Sequence, residues 1–372
     1  MAITERKHWI DNLRWVTVLL VLLYHVIYFY NNKGVFGGIG GFGDYPQCPQ
    51  YQDVVMYILY PWFMPLLFIL AGISARYALG KQSAREWFRS RTRKLLVPGT
   101  IGLFVFHWMV GYFNTAVASR TGVFEGMPLP VKYIVMAVSG IGPLWFVQVL
   151  WLLCLVLLLV RAIDRKDRFW TWCGKAGIVP VIFLGILFWA GEQTLVQNPR
   201  PESLDGLWNL YKPVFYAIPF LLGYFVFSHD EVQRKVKDAW IPLIVCAVVA
   251  GGILVATTFG QDNTSPQYLG SPLNCIYGWL ACLALMGWFQ ARFDRTGAFA
   301  SYMTRSSYGI YIVHYLVVAS LGYMMKTYTQ LPPLAMYVIL AVAVFTVSPL
   351  IYEILRRIPF IRWCVFGEKV SG

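Results

Sequence analysis

The sequence predicts an all-α, polytopic membrane protein, a helix bundle of about ten transmembrane helices with both termini in the cytoplasm. Of its 372 residues, 58% are hydrophobic and only 13% are charged, whereas a soluble domain carries about 25% charged residues. Long apolar runs alternate with short basic clusters. A chain in a bilayer must satisfy its backbone polar groups internally, and runs of this length do so as helices.

The candidate transmembrane helices follow from run length, since about 20 apolar residues cross the hydrocarbon core. The fifth and sixth runs are short, and Val131–Val138 is too short to span, which favours a re-entrant or interfacial piece. No long polar stretch intervenes, so residues 1–372 are predicted to form a single integral-membrane domain. The predicted spans are Trp15–Tyr30, Val54–Leu79, Leu95–Val117, Pro143–Val160, Ile178–Gly191, Pro213–Phe227, Trp240–Phe259, Ser271–Ala291, Ser307–Met325 and Leu334–Tyr352.

The placement of basic residues predicts the orientation, because cytoplasmic loops are enriched in lysine and arginine. With the N-terminus inside, 25 of the 31 lysines and arginines fall in cytoplasmic segments. No small-residue cleavage site follows the first apolar run, so we interpret it as a retained helix and not as a removed signal. The basic residues of the outer segments are Lys33, Arg120, Lys132, Arg200, Lys212 and Lys326.

Charge and cysteine content argue against two other classes of protein. The formal net charge of +13 is compatible with nucleic-acid binding, but the charges lie between apolar runs and not on one face, so no nucleic-acid partner is expected. The seven cysteines form no CxxC motif and no Cys/His cluster, so no metal site is predicted. Cys48 and Cys275 fall near the outer face, and a disulfide between them is left open.

Arg14 and His25 are polar residues in a segment that otherwise has the character of a membrane helix. Eleven residues make about three helical turns, so the two side chains share a face, roughly 16 Å apart along the axis. A titratable residue at mid-membrane is costly and is a functional hypothesis by default, although a histidine bonded to a neighbouring helix is the alternative. Asp11 is an i,i+3 partner for Arg14, or else a simple ion pair at the helix end.

A dense basic run, Arg89–Pro98, precedes and opens the third span. Such runs anchor helices and contact anionic lipid, which explains some of these charges. It does not explain why so many are crowded into one segment. A phosphate-rich ligand such as coenzyme A would be held by the cluster through charge-assisted hydrogen bonds.

Polar and aromatic residues also mark the fourth and ninth spans. Trp145 opens the fourth span, where a tryptophan is most often an interfacial anchor. Ser307, Tyr311 and His314 lie three or four residues apart in the ninth, so they share one helix face. A polar stripe in an apolar helix points inward, where it either contributes to function or joins helices through hydrogen bonds.

These residues resemble acyltransferase family 3, the bacterial multi-span membrane O-acyltransferases. The family pattern pairs an arginine and a histidine with ten residues between them, as Arg14 and His25 do. Two positions depart from the family. The family often has Arg-x-x-Arg before the third helix, whereas Arg91 is followed here by Lys94, which loses bidentate phosphate geometry; Ala71 replaces a frequent serine and is assigned no role. The further matches are Phe68-Ile69-Leu70-Ala71-Gly72, Leu95-Leu96-Val97-Pro98, Pro143-Leu144-Trp145-Phe146 and Ser307-Tyr308-Gly309-Ile310-Tyr311 with His314.

The resemblance implies a reaction, partners and a location. Members move an acyl group, commonly acetyl or succinyl, from cytoplasmic acyl-coenzyme A to a hydroxyl of a glycan or other molecule at the outer face. We therefore expect acyl-coenzyme A as donor substrate with no bound cofactor, a carbohydrate or other hydroxyl acceptor, contact with membrane lipids, and a multi-pass location in the bacterial plasma (inner) membrane. The acyl group, the acceptor and the oligomeric state are left open.

Within that reaction, His25 is the expected general base on the acceptor hydroxyl, because imidazole titrates near neutral pH. A covalent acyl-histidine is the less favoured alternative. Donor phosphates held near Arg14, Arg91 and Lys94 would leave the thioester near His25, so Arg14 is expected to position the donor for catalysis.

Tyr311 and His314 would donate to the developing oxyanion if they face the same cavity, and His314 is the second candidate for the catalytic histidine. Trp145, Ser307 and Asp11 are expected to support the site. A multi-span transporter of a small polar solute is the competing class, since polar residues inside a bundle also line solute paths. Transporters often contain internal repeats, which this sequence lacks. A purely structural membrane protein would not account for the aligned Arg14 and His25.

Overall fold

The computed structural model describes residues 6–31, 38–42, 50–117, 126–200 and 203–369. Within these ranges the regular structure is helical throughout, without a strand. The α-helices are α1 (His8–Phe29), α2 (Val54–Leu59), α3 (Phe63–Leu79), α4 (Ala84–Arg91), α5 (Val97–Gly102), α6 (Trp108–Val117), α7 (Leu129–Ser139), α8 (Trp145–Ile163), α9 (Arg168–Cys173), α10 (Ile178–Phe183), α11 (Gly185–Glu192), α12 (Leu204–Tyr211), α13 (Pro213–Phe225), α14 (Asp230–Asp238), α15 (Trp240–Thr258), α16 (Pro266–Leu269), α17 (Pro272–Arg292), α18 (Ala298–Tyr328), α19 (Pro333–Leu355) and α20 (Pro359–Phe366).

Eight helical segments of the described chain are long and apolar enough to cross a membrane. The prediction of a polytopic α-helical membrane protein is thereby confirmed. The orientation of the termini stays a prediction. The eight segments are His8–Phe29, Tyr51–Leu79, Ala84–Val117, Gly142–Ile163, Trp240–Thr258, Pro272–Arg292, Ala298–Tyr328 and Pro333–Leu355.

The fifth and sixth predicted spans account for the difference between ten segments and eight. The fifth corresponds to α10 and α11, two short helices that together cover only Ile178–Glu192. The sixth belongs to the segment Leu204–Phe225, which meets the span criterion only together with α14, at a bend of 105°. The described chain therefore has eight spans by length, or nine if the bent pair counts as one. Val131–Val138 lies inside α7, an apolar helix that is too short to span, as expected.

The third span starts earlier than the sequence predicts. The basic run, expected to be a loop up to Leu95, is helical from Ala84, and the helix continues to Val117. Two π-helical stretches, Thr92–Leu96 and Leu103–His107, interrupt it on either side of α5. A π turn takes in one more residue than an α turn and is frequent at functional sites. The basic side chains thus project from an ordered helix.

Internal contacts group the chain into two compact units, each assembled from three separate stretches. Several helices contribute residues to both units, among them α1 and α18. Unit 1 consists of Met1–Thr17, Tyr57–Trp87 and Leu152–Arg305, and unit 2 consists of Val18–Met56, Phe88–Trp151 and Ser306–Gly372.

Within unit 1, α3 and α13 pack with their backbones in contact. A Cβ at Gly72 would lie 2.0 Å from the carbonyl oxygen of Phe220, and one at Gly223 would lie 2.2 Å from that of Ile69. Small residues that let two helix backbones approach are the usual way to pack membrane helices, which gain little from the hydrophobic effect within lipid. The Phe68–Gly72 motif is therefore part of the helix packing of unit 1.

Candidate active site

Unit 2 brings His25 of α1 and His314 of α18 into direct contact. Nε2 of His314 lies 3.1 Å from Nδ1 of His25, and the two ring centroids are 5.0 Å apart. His314 is fully buried, whereas His25 is partly exposed. The ring of Tyr315 packs edge-on against His25 at 5.2 Å. The two candidate histidines of the sequence thus form one pair.

The hydrogen-bond partners assign the tautomers of both rings. Nδ1 of His25 lies 2.9 Å from the carbonyl oxygen of Val21, and Nδ1 of His314 lies 2.5 Å from that of Tyr311. A carbonyl oxygen only accepts, so each Nδ1 carries the hydrogen in the neutral ring. Nε2 of His314 is then an acceptor for the Nδ1–H of His25. The remaining nitrogen of the pair, Nε2 of His25, carries a lone pair.

The polar stripe of α18 is buried, as its spacing predicts. Ser307 and Tyr311 are 4% and 3% exposed. The hydroxyl of Tyr311 donates to the carbonyl oxygen of Pro143, and the ring of Phe146 lies 6.0 Å from the Tyr311 ring. Pro143 belongs to a short turn that leads into α8, whose first residue is Trp145.

This arrangement bears on the expected oxyanion donors. The Tyr311 hydroxyl and the Nδ1–H of His314 both donate to carbonyl oxygens of the protein. In this conformation each already has an acceptor, so the hydrogen bonds orient His314 and α18. The motif Pro143–Phe146 contacts Tyr311 through the backbone carbonyl of Pro143 and the ring of Phe146. Trp145 is only partly buried, and its ring lies beside that of Phe146.

His107 is, with His314, a second fully buried histidine of unit 2, and the sequence analysis did not single it out. It ends the second π-helical stretch, is fully buried, and lies within electrostatic range of His314. The backbone of Gly140 is close to its ring, but neither ring nitrogen forms a hydrogen bond of normal geometry with the described residues. Its presence inside a predicted span was the signal that could have singled it out.

In unit 1, polar side chains hold Arg14 in place. Its guanidinium lies 2.9 Å from Asp11 and 2.7 Å from the hydroxyl of Ser74. Asp11 also pairs with Arg6 at 2.8 Å, so it is both the expected i,i+3 partner and an ion pair at the helix end. Arg14 and His25 lie on the same unbroken helix, α1.

In unit 2, the basic run carries Arg91 at the end of α4 and Lys94 in the π-helical stretch. Lys94 is exposed and Arg91 is partly buried. The backbone carbonyl of Lys94 accepts a hydrogen bond from the hydroxyl of Tyr308, next to Ser307 on α18. The stretch is therefore fixed through its backbone, while Lys94 as a whole residue is exposed.

The described residues contain no group of three or more His, Cys, Asp or Glu side chains arranged to hold a metal ion. Cys275 is buried, with its thiol 3.3 Å from the carbonyl oxygen of Leu269. The open question of a disulfide with Cys48 lies outside the described residues, because Cys48 is not among them.

The fold and the site define a multi-pass helical membrane protein with a histidine pair between two of its long helices. The chain belongs to acyltransferase family 3, whose acyltransferase domain matches residues 7–353. It is therefore a membrane acyltransferase.

Curated relatives cover almost the whole chain at low identity. The chain is similar to glucans biosynthesis protein C of Shigella dysenteriae serotype 1 (strain Sd197), with 20% identity over 98% of this chain and 96% of the relative. Glucans biosynthesis protein C of Escherichia coli (strain K12) matches with the same identity and coverage. Among solved structures, no match was found.

Proposed function

We propose that this membrane acyltransferase is an O-acyltransferase that moves an acyl group, acetyl or succinyl, from cytoplasmic acyl-coenzyme A to a hydroxyl at the outer face of the bacterial plasma membrane. The observation that carries the proposal is the pairing of His25 with His314. It leaves Nε2 of a partly exposed intramembrane histidine as a lone-pair base. The acceptor class is a glycan, which agrees with the word "glucans" in the name of the relatives.

In the proposed reaction, Nε2 of His25 takes the proton of the acceptor hydroxyl while its oxygen attacks the thioester carbonyl. The imidazolium that forms keeps its Nδ1–H on two acceptors, the Val21 carbonyl oxygen and Nε2 of His314. Both acceptors are more favourable for the charged ring than for the neutral one. When the tetrahedral intermediate collapses, the C–S bond breaks and the proton passes from His25 to the leaving sulfur. The products are the ester and free coenzyme A.

The donor is held by its phosphates. Exposed Lys94 and neighbouring Arg91 present positive charge at the start of the third span of unit 2, and charge-assisted hydrogen bonds to phosphate are the strong ones. Arg14, fixed by Asp11 and Ser74, is the donor-positioning residue of unit 1. The family match favours this enzyme over the transporter that the sequence left as an alternative.

The test is thioester consumption by the purified protein in lipid nanodiscs, with acetyl- or succinyl-coenzyme A and a glucan acceptor. Free thiol should appear with the wild type only when the acceptor is present, and the acylated glucan should gain the corresponding mass. His25→Gln in the same nanodiscs is the control for contaminating hydrolysis. Acceptor-independent thiol release, or none with either donor, would contradict the proposal. Loss of an acyl mass from envelope glycans in a deletion strain would identify the natural acceptor.

A further inference from the structure

The C-terminal end of α20 lies against the basic π-helical stretch of unit 2. Nε of Arg93 donates to the carbonyl oxygen of Gly367 at 3.2 Å. Residues 359–366 of α20 and the two residues that follow lie beyond residue 353, where the family match ends. The family match therefore does not cover the α20 side of this contact.

The contact is close because α20 ends on a glycine in the left-handed conformation. Gly367 has φ +61°, and its N–H donates to the carbonyl oxygen of Trp363 at 3.0 Å, as in a helix that ends on a single left-handed residue. A Cβ at Gly367 would lie 2.2 Å from the carbonyl oxygen of Arg93 and 2.7 Å from Cα of Lys94. The chain reversal therefore places the next residue, Glu368, beside the basic run.

Glu368 is oriented by a hydrogen bond and by charge. Its Oε1 lies 3.4 Å from the hydroxyl of Tyr352 on α19, and its carboxylate interacts electrostatically with Lys94. The other charged neighbours of Lys94 are Arg91 and Arg93, both of the same sign as Lys94. Glu368 is partly exposed, whereas its partner Tyr352 is buried. The carboxylate thus interacts with Lys94, one of three neighbouring cations of the basic run, and also with Arg356 at the end of α19.

We propose that Glu368 is an intramolecular counterion for the donor site, which a phosphate group of acyl-coenzyme A displaces when it binds. The inference rests on the proposed function, in which Arg91 and Lys94 hold the donor phosphates. Three like charges held together by a helix repel one another, and a carboxylate lowers that cost in the empty site. The same carboxylate opposes the incoming phosphates, so Glu368 sets the donor affinity below what the cations alone would give.

The test measures binding of coenzyme A itself, which cannot be consumed, to wild type, Glu368→Gln and Glu368→Lys in nanodiscs. Glu368→Gln keeps an acceptor for the Tyr352 hydroxyl and removes only the charge. We expect its Kd for coenzyme A to fall about 2- to 5-fold at low salt, the scale of one partly exposed charge pair. Glu368→Lys should lower Kd further. Both effects should shrink as salt screens the charges. Glu231→Gln, a matched charge change at an exposed residue of unit 1, should leave Kd unchanged.

Pantetheine, the donor arm without phosphates, shows whether Glu368 acts on the phosphates or on the rest of the donor. Its weak binding should be the same in all four proteins if Glu368 acts through the phosphates. An unchanged or higher Kd for coenzyme A in both Glu368 variants would overturn the inference, because a residue that merely anchors α20 gives that result. No coenzyme A binding by the wild type would overturn the proposed function, and the inference with it.

Discussion

Nε2 of His314 and Nδ1 of His25 lie 3.1 Å apart, although 289 residues separate the two histidines in the chain. The bond has a direction, because the Nδ1 of each ring is also committed to a backbone carbonyl oxygen. His25 therefore carries a free lone pair on Nε2, and His314 orients the His25 ring by accepting its Nδ1–H. The two roles can be separated by experiment.

Replacing His25 by Gln should lower turnover roughly 100-fold or more, the usual scale for loss of a general base. Glutamine can share hydrogen bonds with the neighbours of His25, but it cannot take up a proton near neutral pH. Coenzyme A binding should be retained, because Arg14, Arg91 and Lys94 are unchanged. Acyl transfer at a near-normal rate by His25→Gln would mean that His25 is not the general base, and His314 would become the candidate for that role.

His314 should behave as a positioning residue. His314→Ala is expected to lower kcat about 100-fold, the cost of a misplaced catalytic group, whereas His314→Gln should recover much of that loss. The amide oxygen of glutamine can accept the Nδ1–H of His25, as Nε2 of His314 does. The kcat of the two variants and the pH profile of His314→Gln are the measurements. Equal losses in both variants would indicate that His314 itself transfers the proton.

The double variant Arg91→Ala/Lys94→Ala should raise the KM for acyl-coenzyme A about 10- to 100-fold at low salt, since a hydrogen bond to a charged group contributes about 1.5–3 kcal/mol. The difference from wild type should narrow as salt increases, because exposed charges are screened. The control is Lys81→Ala/Arg85→Ala, which removes two exposed cations a few residues upstream. Similar KM increases in both double variants would mean that the basic run only sets the orientation of the helix in the membrane and does not bind the donor.

Asp167 provides a pH dependence outside the membrane spans. The hydrogen bond from Arg76, at 2.8 Å, holds the pKa of the Asp167 carboxyl below its usual range. The pair therefore stabilises unit 1 at a pH above about 4, the pKa of an aspartate in the unfolded chain. Its contribution to the free energy of unfolding is lost as the pH falls through the lower pKa that Asp167 has in the folded state. Asp167→Asn should melt earlier than wild type at pH 7, and the gap should close in strong acid.

The Asp167→Asn comparison uses apparent melting temperatures from tryptophan fluorescence in detergent. Asparagine suits the position, because Asp167 has φ 51° and asparagine tolerates the left-handed region. Glu231→Gln, which breaks an exposed i,i+3 pair, is the control and should have little effect. A melting difference that is the same at pH 7 and at pH 3 would mean that Asp167 acts through its backbone conformation and not through its charge.

Both termini are predicted to be cytoplasmic, from the excess of basic residues in alternate segments. Residues 329–331 between α18 and α19 and residues 357–358 after α19 lie outside the helices and are suitable insertion points for reporters. Reporters at the two points should lie on opposite sides of the membrane, with the second in the cytoplasm. Reporters on the same side would mean that α19 does not cross.

The sequence singled out residues that the structure brings together, but it did not predict how they contact one another. An arginine and a histidine eleven residues apart on one helix are visible from spacing alone, and so is the shared face of Ser307, Tyr311 and His314. Helix periodicity, however, says nothing about which helices are neighbours. The contact of His25 with His314 and the bond from Tyr311 to Pro143 are tertiary and had to come from the structure.

Three features that the sequence did not predict depend on the surrounding structure and not on the local sequence pattern. Residues 84–94 are too polar to score as part of a span, yet they continue the helix that α5 and α6 extend. Ile178–Glu192 is apolar enough to look like a span but is divided into two short helices. The contact of Gly367 with Arg93 depends on a left-handed turn 274 residues away in the chain, which no local pattern of the basic run could indicate.

The two π-helical stretches of the third span have a consequence for the phase of its faces. Each takes in an extra residue, so side chains before and after it are rotated by about 100° relative to a continuous α-helix. A helical wheel with 3.6 residues per turn, drawn from Arg91 to His107, therefore places the side chains after each π-helical stretch on the wrong face. Deleting Thr92 would rotate Arg91 and the preceding residues by about 100° about the helix axis relative to the residues that follow, without replacing any basic side chain. Single-residue gaps at these stretches are therefore expected when relatives are aligned by structure.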